Sequence, residues 1–332
     1  MGDAFRALVL DQKDKKVTVE FRNLTTDDLP DGDVLVRVKW STLNYKDGMI
    51  LNGLGRLVRT YPHVPGVDFS GEVVSSSDAR YKPGDEVVLT GWRVGEAHWG
   101  GYGQMARVKA EWLVPLPEGL DAAQAMSIGT AGFTSMLAVM ALEEQGISPK
   151  QDGEVLVTGA AGGVGSVAVS ILSALGYRVA ASTGRAETHA YLRELGATTI
   201  IDRNELTDTS KPLLAERWIG AIDSVGSTTL AHVLSEMKYH GVVAACGLAG
   251  GADLPGTVIP FLLRGVRLIG IDSVMCPYAT RIRAWERLAK ELPIGQLNAA
   301  TTKVVLRDVV PWGEKILKGQ IKGRLLIDVQ DC

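Results

Sequence analysis

Strand-like alternation fills the first third of the chain. In "GDVLVRVKWSTLN", Val34, Val36 and Val38 share one face while Arg37 and Lys39 take the other, a period of two that predicts a half-buried strand. "FRALVLDQ" and "KKVTVEFR" read as an opening hairpin, and "KPGDEVVLTG" as a Pro-Gly-Asp turn entering a strand. "GGYGQMARVKAEWLVPLP" alternates and then ends in prolines. At Asp121 the period changes. "DAAQAMSIGTAGFTSMLAVMALEEQG" carries small and apolar residues at helical spacing, with Gly146 as its stop.

Alternating elements follow. Strands are predicted at Glu154–Thr158, Arg178–Ala181 and Thr199–Ile201, with helices at Val164–Leu175 and Ala186–Leu195 between them. "GAIDSVG" and "GVVAACGLAG" each hold a strand that ends in glycine, and "GVRLIGIDSV" follows the short helix "IPFLLR". Such alternation predicts a parallel sheet with helices on both faces. A long helix, "YATRIRAWERLAKEL", begins beyond Pro277, and the tail reads strand, helix, strand.

Composition narrows the class. The 332 residues are 46% hydrophobic and 22% charged, with a formal net charge of −3. That is ordinary for a globular chain of two domains, and it offers no basic surplus for nucleic acid or an anionic membrane. No apolar run reaches the ~18 residues of a membrane span. "MGDAFRALVLDQKDKK" has the pattern of neither a signal peptide nor a transit peptide. Three widely spaced cysteines, Cys246, Cys276 and Cys332, build no disulfide framework, and the expectation is a reducing cytoplasm.

The chemistry lies in "VLVTGAAGGVGSVAVSILSALGYRVAASTGR". A strand runs into a turn in which Ala160, Gly162 and Gly165 hold the three positions of a dinucleotide-binding fingerprint. Ala160 departs from the strict glycine spelling. Ala161, Gly162, Gly163 and Val164 then offer backbone N–H groups at a helix start, where a pyrophosphate is held. An NAD site presents an acid about twenty residues on. Here Arg185 lies 185 − 165 = 20 positions past Gly165, with no Asp or Glu between them. Ser182, Thr183, Gly184 and Arg185 stand there instead, with Arg203 as a second cation in "IIDRNE". Hydroxyls and guanidinium groups suit a 2′-phosphate, so the cofactor expected is NADPH.

The order and spacing of "LNYKDGMI", "PGVDFSGEV", "KPGDEV", "AAGGVG" and "KGRLLIDV" resemble the medium-chain dehydrogenase/reductase superfamily across essentially the whole chain. "NYKD", "STGR", "CGLAGG" and "PFLLRGVRLIGIDSV" are similar to its zinc-free, quinone-oxidoreductase-like branch, and there to the NADPH-dependent acryloyl-CoA reductases. The resemblance implies an α/β fold. A GroES-like β-rich catalytic domain would be built from residues 1–126 and 273–332, and a Rossmann doubly wound parallel sheet from 127–272. It implies a homodimer, with "GVRLIGIDSV" as the joining edge, and an active site where the nicotinamide meets the β domain.

Asn44 and Val67 stand where zinc-dependent relatives carry a Cys and a His, so no metal is expected. His63 and His98 are expected at the surface or in the cleft. The implied reaction is reduction of the C=C bond of a short enoyl-CoA, acryloyl-CoA to propanoyl-CoA, with hydride to the β carbon and a proton to the α carbon. Asn44 is a candidate donor to the carbonyl oxygen or the cofactor. Tyr45 is a candidate nicotinamide contact or proton source, and Lys46 with Asp47 a candidate ion pair setting the loop. Leu248, Leu262, Ser273 and Gln320 are candidate contacts of the nicotinamide half. Arg56, Arg59, Arg281 and Arg283 are candidate cations for coenzyme A phosphates. A quinone or free enone is the alternative substrate, and an NADPH-retaining RNA-binding or structural protein the alternative of another class.

Overall fold

In the computed structural model, which describes residues 2–14 and 16–332, the first third of the chain forms β1 (Ala4–Lys13), β2 (Lys16–Thr25), β3 (Val34–Thr42), α1 (Tyr45–Leu51), β4 (Asp68–Ser76), β5 (Glu86–Thr90), β6 (Met105–Val108) and β7 (Val114–Pro115). The middle forms α2 (Ala122–Glu144), β8 (Glu154–Val157), α3 (Gly163–Ala174), β9 (Val179–Thr183), α4 (His189–Glu194), β10 (Thr199–Asp202), β11 (Trp218–Asp223), α5 (Ser227–Glu236), β12 (Met237–Ala245), α6 (Ile259–Arg264) and β13 (Arg267–Gly270). The end forms α7 (Tyr278–Glu291), α8 (Ile294–Ala299), β14 (Thr301–Val305), α9 (Val309–Leu317) and β15 (Arg324–Asp328).

Two compact units result. The first gathers residues 1–130, 274–289 and 297–332. Its main sheet has the order β14-β15-β3-β4-β5-β7, with β6 also on β3, and β1 and β2 form a hairpin beside it. The alternation of β3 is realised: Val34, Val36 and Val38 are fully buried and pack with Phe69, Val87, Leu89 and Ile327. The tail strand β15 enters this sheet antiparallel to β3.

The second unit gathers residues 131–273 and 290–296. Its six strands are all parallel, in the order β10-β9-β8-β11-β12-β13. Val155, Leu156 and Val157 of β8 and Ala180 and Ala181 of β9 have no exposed surface, as central strands covered on both faces require. The chain order reverses between β8 and β11, and a sheet of this type takes its ligand outside the carboxyl ends of the strands at that point. Residues 290–296 belong here although the sequence reading gives all of 273–332 to the β-rich domain. Ser170 Oγ donates to Gln296 Oε1 at 2.6 Å, and Gln296 Nε2 donates to the Glu194 carbonyl at 3.1 Å.

By length and composition α2 meets the criterion for a bilayer span, contrary to the expectation that no run does, but it is mostly buried in protein. It is also not one straight helix, since Gly129 has φ 52° and ψ −162°.

Candidate functional site

Within the parallel-sheet unit, the turn after β8 opens α3 with Gly162 as N-cap in an extended conformation, and no side chain caps it. The first intrahelical bond runs from Ser166 N–H to the Gly162 carbonyl at 2.9 Å, so the N–H groups at the helix start point outward. Ala161 is buried, while Gly162, Gly163 and Val164 keep partial exposure. The turn is tight: Gly159 has φ 59°, and a Cβ on Gly165 would stand 2.4 Å from the Gly159 carbonyl oxygen. Ala160 N–H donates to the Ser182 carbonyl at 3.0 Å, which binds this turn to the end of β9.

That end carries Ser182 and Thr183, both buried, then Gly184 and Arg185. Thr183 Oγ1 accepts from Arg185 N–H at 3.2 Å and lies 3.1 Å from Thr188 Oγ1. Arg185 reaches back to the Ala161 carbonyl at 3.4 Å. Arg203 crosses from the end of β10 and lies over the backbone of Gly184. The one acid in this register, Asp202 opposite Thr183, accepts from Asn204 N–H at 2.8 Å and caps the next turn. Two guanidinium groups and two hydroxyl residues thus border the β9 end. This donor set fits a dinucleotide carrying a 2′-phosphate.

Leu248 stands in the turn after β12 with 64% of its surface exposed, and Ser273 follows β13. The strands being parallel, both residues leave the sheet at its carboxyl edge. Leu262 lies on α6, is 75% exposed and is remote from β9 in the strand order, since α6 packs on β12.

Within the β-rich unit, "NYKD" starts α1. Asn44 is buried, and its amide is already engaged. Nδ2 donates to Asp68 Oδ2 at 2.9 Å and Oδ1 accepts from Arg324 at 3.3 Å, while the Asp47 backbone and carboxyl close a capping box around it. Tyr45, the first helical residue, is 46% exposed. Gln320 is exposed in the turn after α9.

Lys46 and Asp47 do not pair. Lys46 Nζ bonds Glu96 at 2.7 Å, while the buried Asp47 accepts from Asn44 N–H at 2.8 Å and from Val67 N–H at 2.9 Å. The two side chains follow each other on a helix start and point apart. Burial, and then the charge of Asp68, push the Asp47 carboxyl up to about 7.

Other expectations also change. His63 is buried, with its N–H and carbonyl both bonded to Leu10, and His98 bonds the Arg107 carbonyl at 2.7 Å, so both are framework residues. Burial lowers the basicity of each. Arg281 is fully buried and donates to the Thr90 carbonyl at 2.6 Å, out of reach of a solvent-borne phosphate. Arg56, Arg59 and Arg283 are exposed.

The sequence reading missed the assembly that holds Asn44. Asp68 is fully buried and accepts from Thr130 N–H at 2.7 Å and Thr130 Oγ1 at 2.5 Å as well as from Asn44. Arg324 anchors to Thr42 Oγ1 and the Ser127 carbonyl, and a Cβ on Gly129 would lie 2.8 Å from Arg324 and 2.9 Å from Asp68. Burial raises the Asp68 carboxyl, against its hydrogen bonds and the nearby Arg324 charge. The signal lies in Asp68 of "PGVDFSGEV" and Arg324 of "KGRLLIDV".

Residues 30–118 match the alcohol dehydrogenase GroES-like domain family, and residues 163–290 match the zinc-binding dehydrogenase family. The chain is 61% identical to the acrylyl-CoA reductase AcuI of Ruegeria pomeroyi, over 98% of this chain and 99% of that protein. It is 45% identical to the putative quinone oxidoreductase YhfP of Bacillus subtilis, over 98% and 99% of the two chains. A crystal structure of the YhdH oxidoreductase from Salmonella enterica in complex with NADP superposes with a TM-score of 0.95 at 54% identity, covering 97% of this chain and 99% of that one.

Proposed function

Because this chain belongs to the medium-chain dehydrogenase/reductase family, we propose that it is an NADPH-dependent reductase of a short enoyl-CoA, acting on acryloyl-CoA to give propanoyl-CoA. The observation that carries this reading is the full-length similarity to the Ruegeria pomeroyi acrylyl-CoA reductase. NADPH, when bound, supplies a hydride to the β carbon of the conjugated thioester.

The chain's own residues do the rest. Ser182, Thr183, Arg185 and Arg203 hold the 2′-phosphate by charge-assisted hydrogen bonds, and the backbone of Ala161, Gly162, Gly163 and Val164 receives the pyrophosphate. Leu248 and Ser273 contact the nicotinamide half. As the β carbon gains electrons, charge develops on the thioester oxygen. Asn44, held by Asp68 and Arg324, caps α1 and so fixes the helix start from which Tyr45 projects. The Tyr45 hydroxyl, exposed at the start of α1, delivers the proton to the α carbon.

The similarity to a putative quinone oxidoreductase supports a second reading, quinone as acceptor. NADPH oxidation measured with acryloyl-CoA beside a benzoquinone separates the two. The thioester is expected to win, and a hundredfold preference for quinone in kcat/KM would reverse the choice. A panel of C3 to C8 enoyl-CoAs with NADPH and NADH fixes acyl length and cofactor together.

We further propose a cytoplasmic homodimer. All three cysteines are free thiols. β13 is the last strand of its sheet, and beside it Val258, Leu262 and Leu263 are 63%, 75% and 60% exposed, an apolar surface fit to meet a second copy. Sedimentation at micromolar concentration is expected to give twice the chain mass, and L262E/L263E to give the single chain.

A further inference from the structure

Asp223 carries a fully buried carboxylate that none of the roles above uses. It ends β11, next to β8 in the sheet. Its Oδ1 accepts from Thr158 Oγ1 at 2.6 Å, and its Oδ2 accepts from Gly226 N–H at 2.7 Å. Thr158 Oγ1 in turn accepts from Ser224 N–H at 3.1 Å, and Ser224 Oγ donates to the Thr158 carbonyl at 3.0 Å. The residue that enters the glycine turn is thereby clasped to the residues that leave β11. The clasp closes only over glycine: at Gly159 a Cβ would stand 2.5 Å from Ser224 Oγ.

The same short segment is tied on its other side. Cys246 N–H donates to the Asp223 carbonyl at 2.8 Å, and Gly250 N–H donates to the Val225 carbonyl at 2.7 Å. A Cβ on Gly247 would stand 2.4 Å from the Ser224 carbonyl oxygen. Residues 223–225 thus link the turn of Ala161–Val164 to the turn of Leu248. Burying a carboxylate costs several kcal/mol unless donors replace its water, and burial here raises the Asp223 carboxyl. An apolar side chain would fill the position without that cost, but it would not bond two separate segments.

We infer that Asp223, acting through Thr158, is a positioning residue that sets the spacing between the turn receiving the pyrophosphate and the turn meeting the nicotinamide ribose. The inference rests on the cofactor reading proposed above. If it holds, losing the clasp weakens the whole dinucleotide and spares a ligand confined to one end. The adenosine 2′,5′-bisphosphate probe reaches the β9 end and stops short of the Leu248 turn.

The test titrates NADPH by fluorescence and adenosine 2′,5′-bisphosphate by calorimetry into wild-type protein, T158V, T158S and D223N. T158V is expected to raise the NADPH Kd about tenfold or more, the loss of one hydrogen bond to a charged group, while the bisphosphate Kd stays within about twofold. T158S is expected to restore NADPH binding, and D223N, whose single amide oxygen can accept from only one of Thr158 Oγ1 and Gly226 N–H, to reproduce T158V should the latter fold poorly. Parallel weakening of both ligands, or no change in either, would overturn the inference. Wild-type protein that binds neither ligand overturns the cofactor reading itself, so the two failures are distinct.

Discussion

The Cβ that Gly184 lacks would stand 2.3 Å from Nε of Arg203 and 2.8 Å from its guanidinium carbon. A methyl group there must displace the arginine, and a flexible exposed side chain moves at little cost to the fold. G184A is therefore expected to keep the wild-type Tm while lowering kcat/KM for NADPH about ten- to a hundredfold, the loss of a hydrogen bond to a charged group, with NADH little changed. R203A should give the same loss. The double variant should lose no more than either single one, because both remove one contact. Steady-state rates with the two cofactors decide it.

The exposed hydroxyl of Tyr45 leads to a second expectation. A proton donor in the transition state contributes about a hundredfold or more, so Y45F should lower turnover of acryloyl-CoA by about that factor. The NADPH Kd should stay unchanged. Single-turnover kinetics separates the chemical step from binding, and unaltered single-turnover rates would remove Tyr45 from the proton path.

The architecture was readable because both periods were regular. The valines of β3 at period two, and the strand–helix alternation after Glu154, each report a buried face that composition alone must satisfy. The cofactor end was readable for a different reason: the glycine turn and the Ser182–Arg185 run are local in sequence. What could not be read were the partnerships across distance. Asp68 meets Thr130 and Asn44, and Arg324 meets Asn44 across 280 residues. No period records such a bond. Lys46 and Asp47 failed for the opposite reason, since neighbours in sequence on a helix start face different partners. Arg281 reads from the sequence as a candidate cation for a phosphate, and only the fold shows that Thr90 carbonyl and hydroxyl groups replace its water.

Asp68 gives a third expectation. Its carboxylate answers three donors in a site without water contact, and an amide in its place would turn a donor toward Thr130 or Asn44. Breaking such a buried charge network costs about 3–5 kcal/mol. D68N should unfold at a correspondingly lower denaturant midpoint. Its surviving folded fraction should show a lower kcat with the NADPH Kd unchanged, because Asn44 loses its anchor while the β9 end is untouched. Chemical denaturation and cofactor titration on the same preparation test both halves.

His232 supplies the pH dependence. Its Nε2 stands 3.5 Å from Glu236 Oε1, one helical turn on, and its Nδ1 is 2.8 Å from the Asp208 carbonyl. Glu236 also faces Arg217 at 3.2 Å and accepts from Trp218 Nε1 at 3.0 Å, so the imidazole shares its carboxylate with a second cation. The adjacent Glu236 carboxylate raises the His232 pKa above its ordinary 6.5 despite burial. A raised folded-state value means that the folded protein holds the proton more tightly than the unfolded chain. The stabilisation is fully present below about pH 6.5 and fades as pH rises through the folded-state value. In H232Q this contribution is gone at every pH. The stability difference between wild type and H232Q is therefore expected to be larger at about pH 5.5 than at about pH 8.5, read from urea unfolding at both. A difference independent of pH would show that His232 is neutral throughout and that the Asp208 bond alone accounts for its place in the fold.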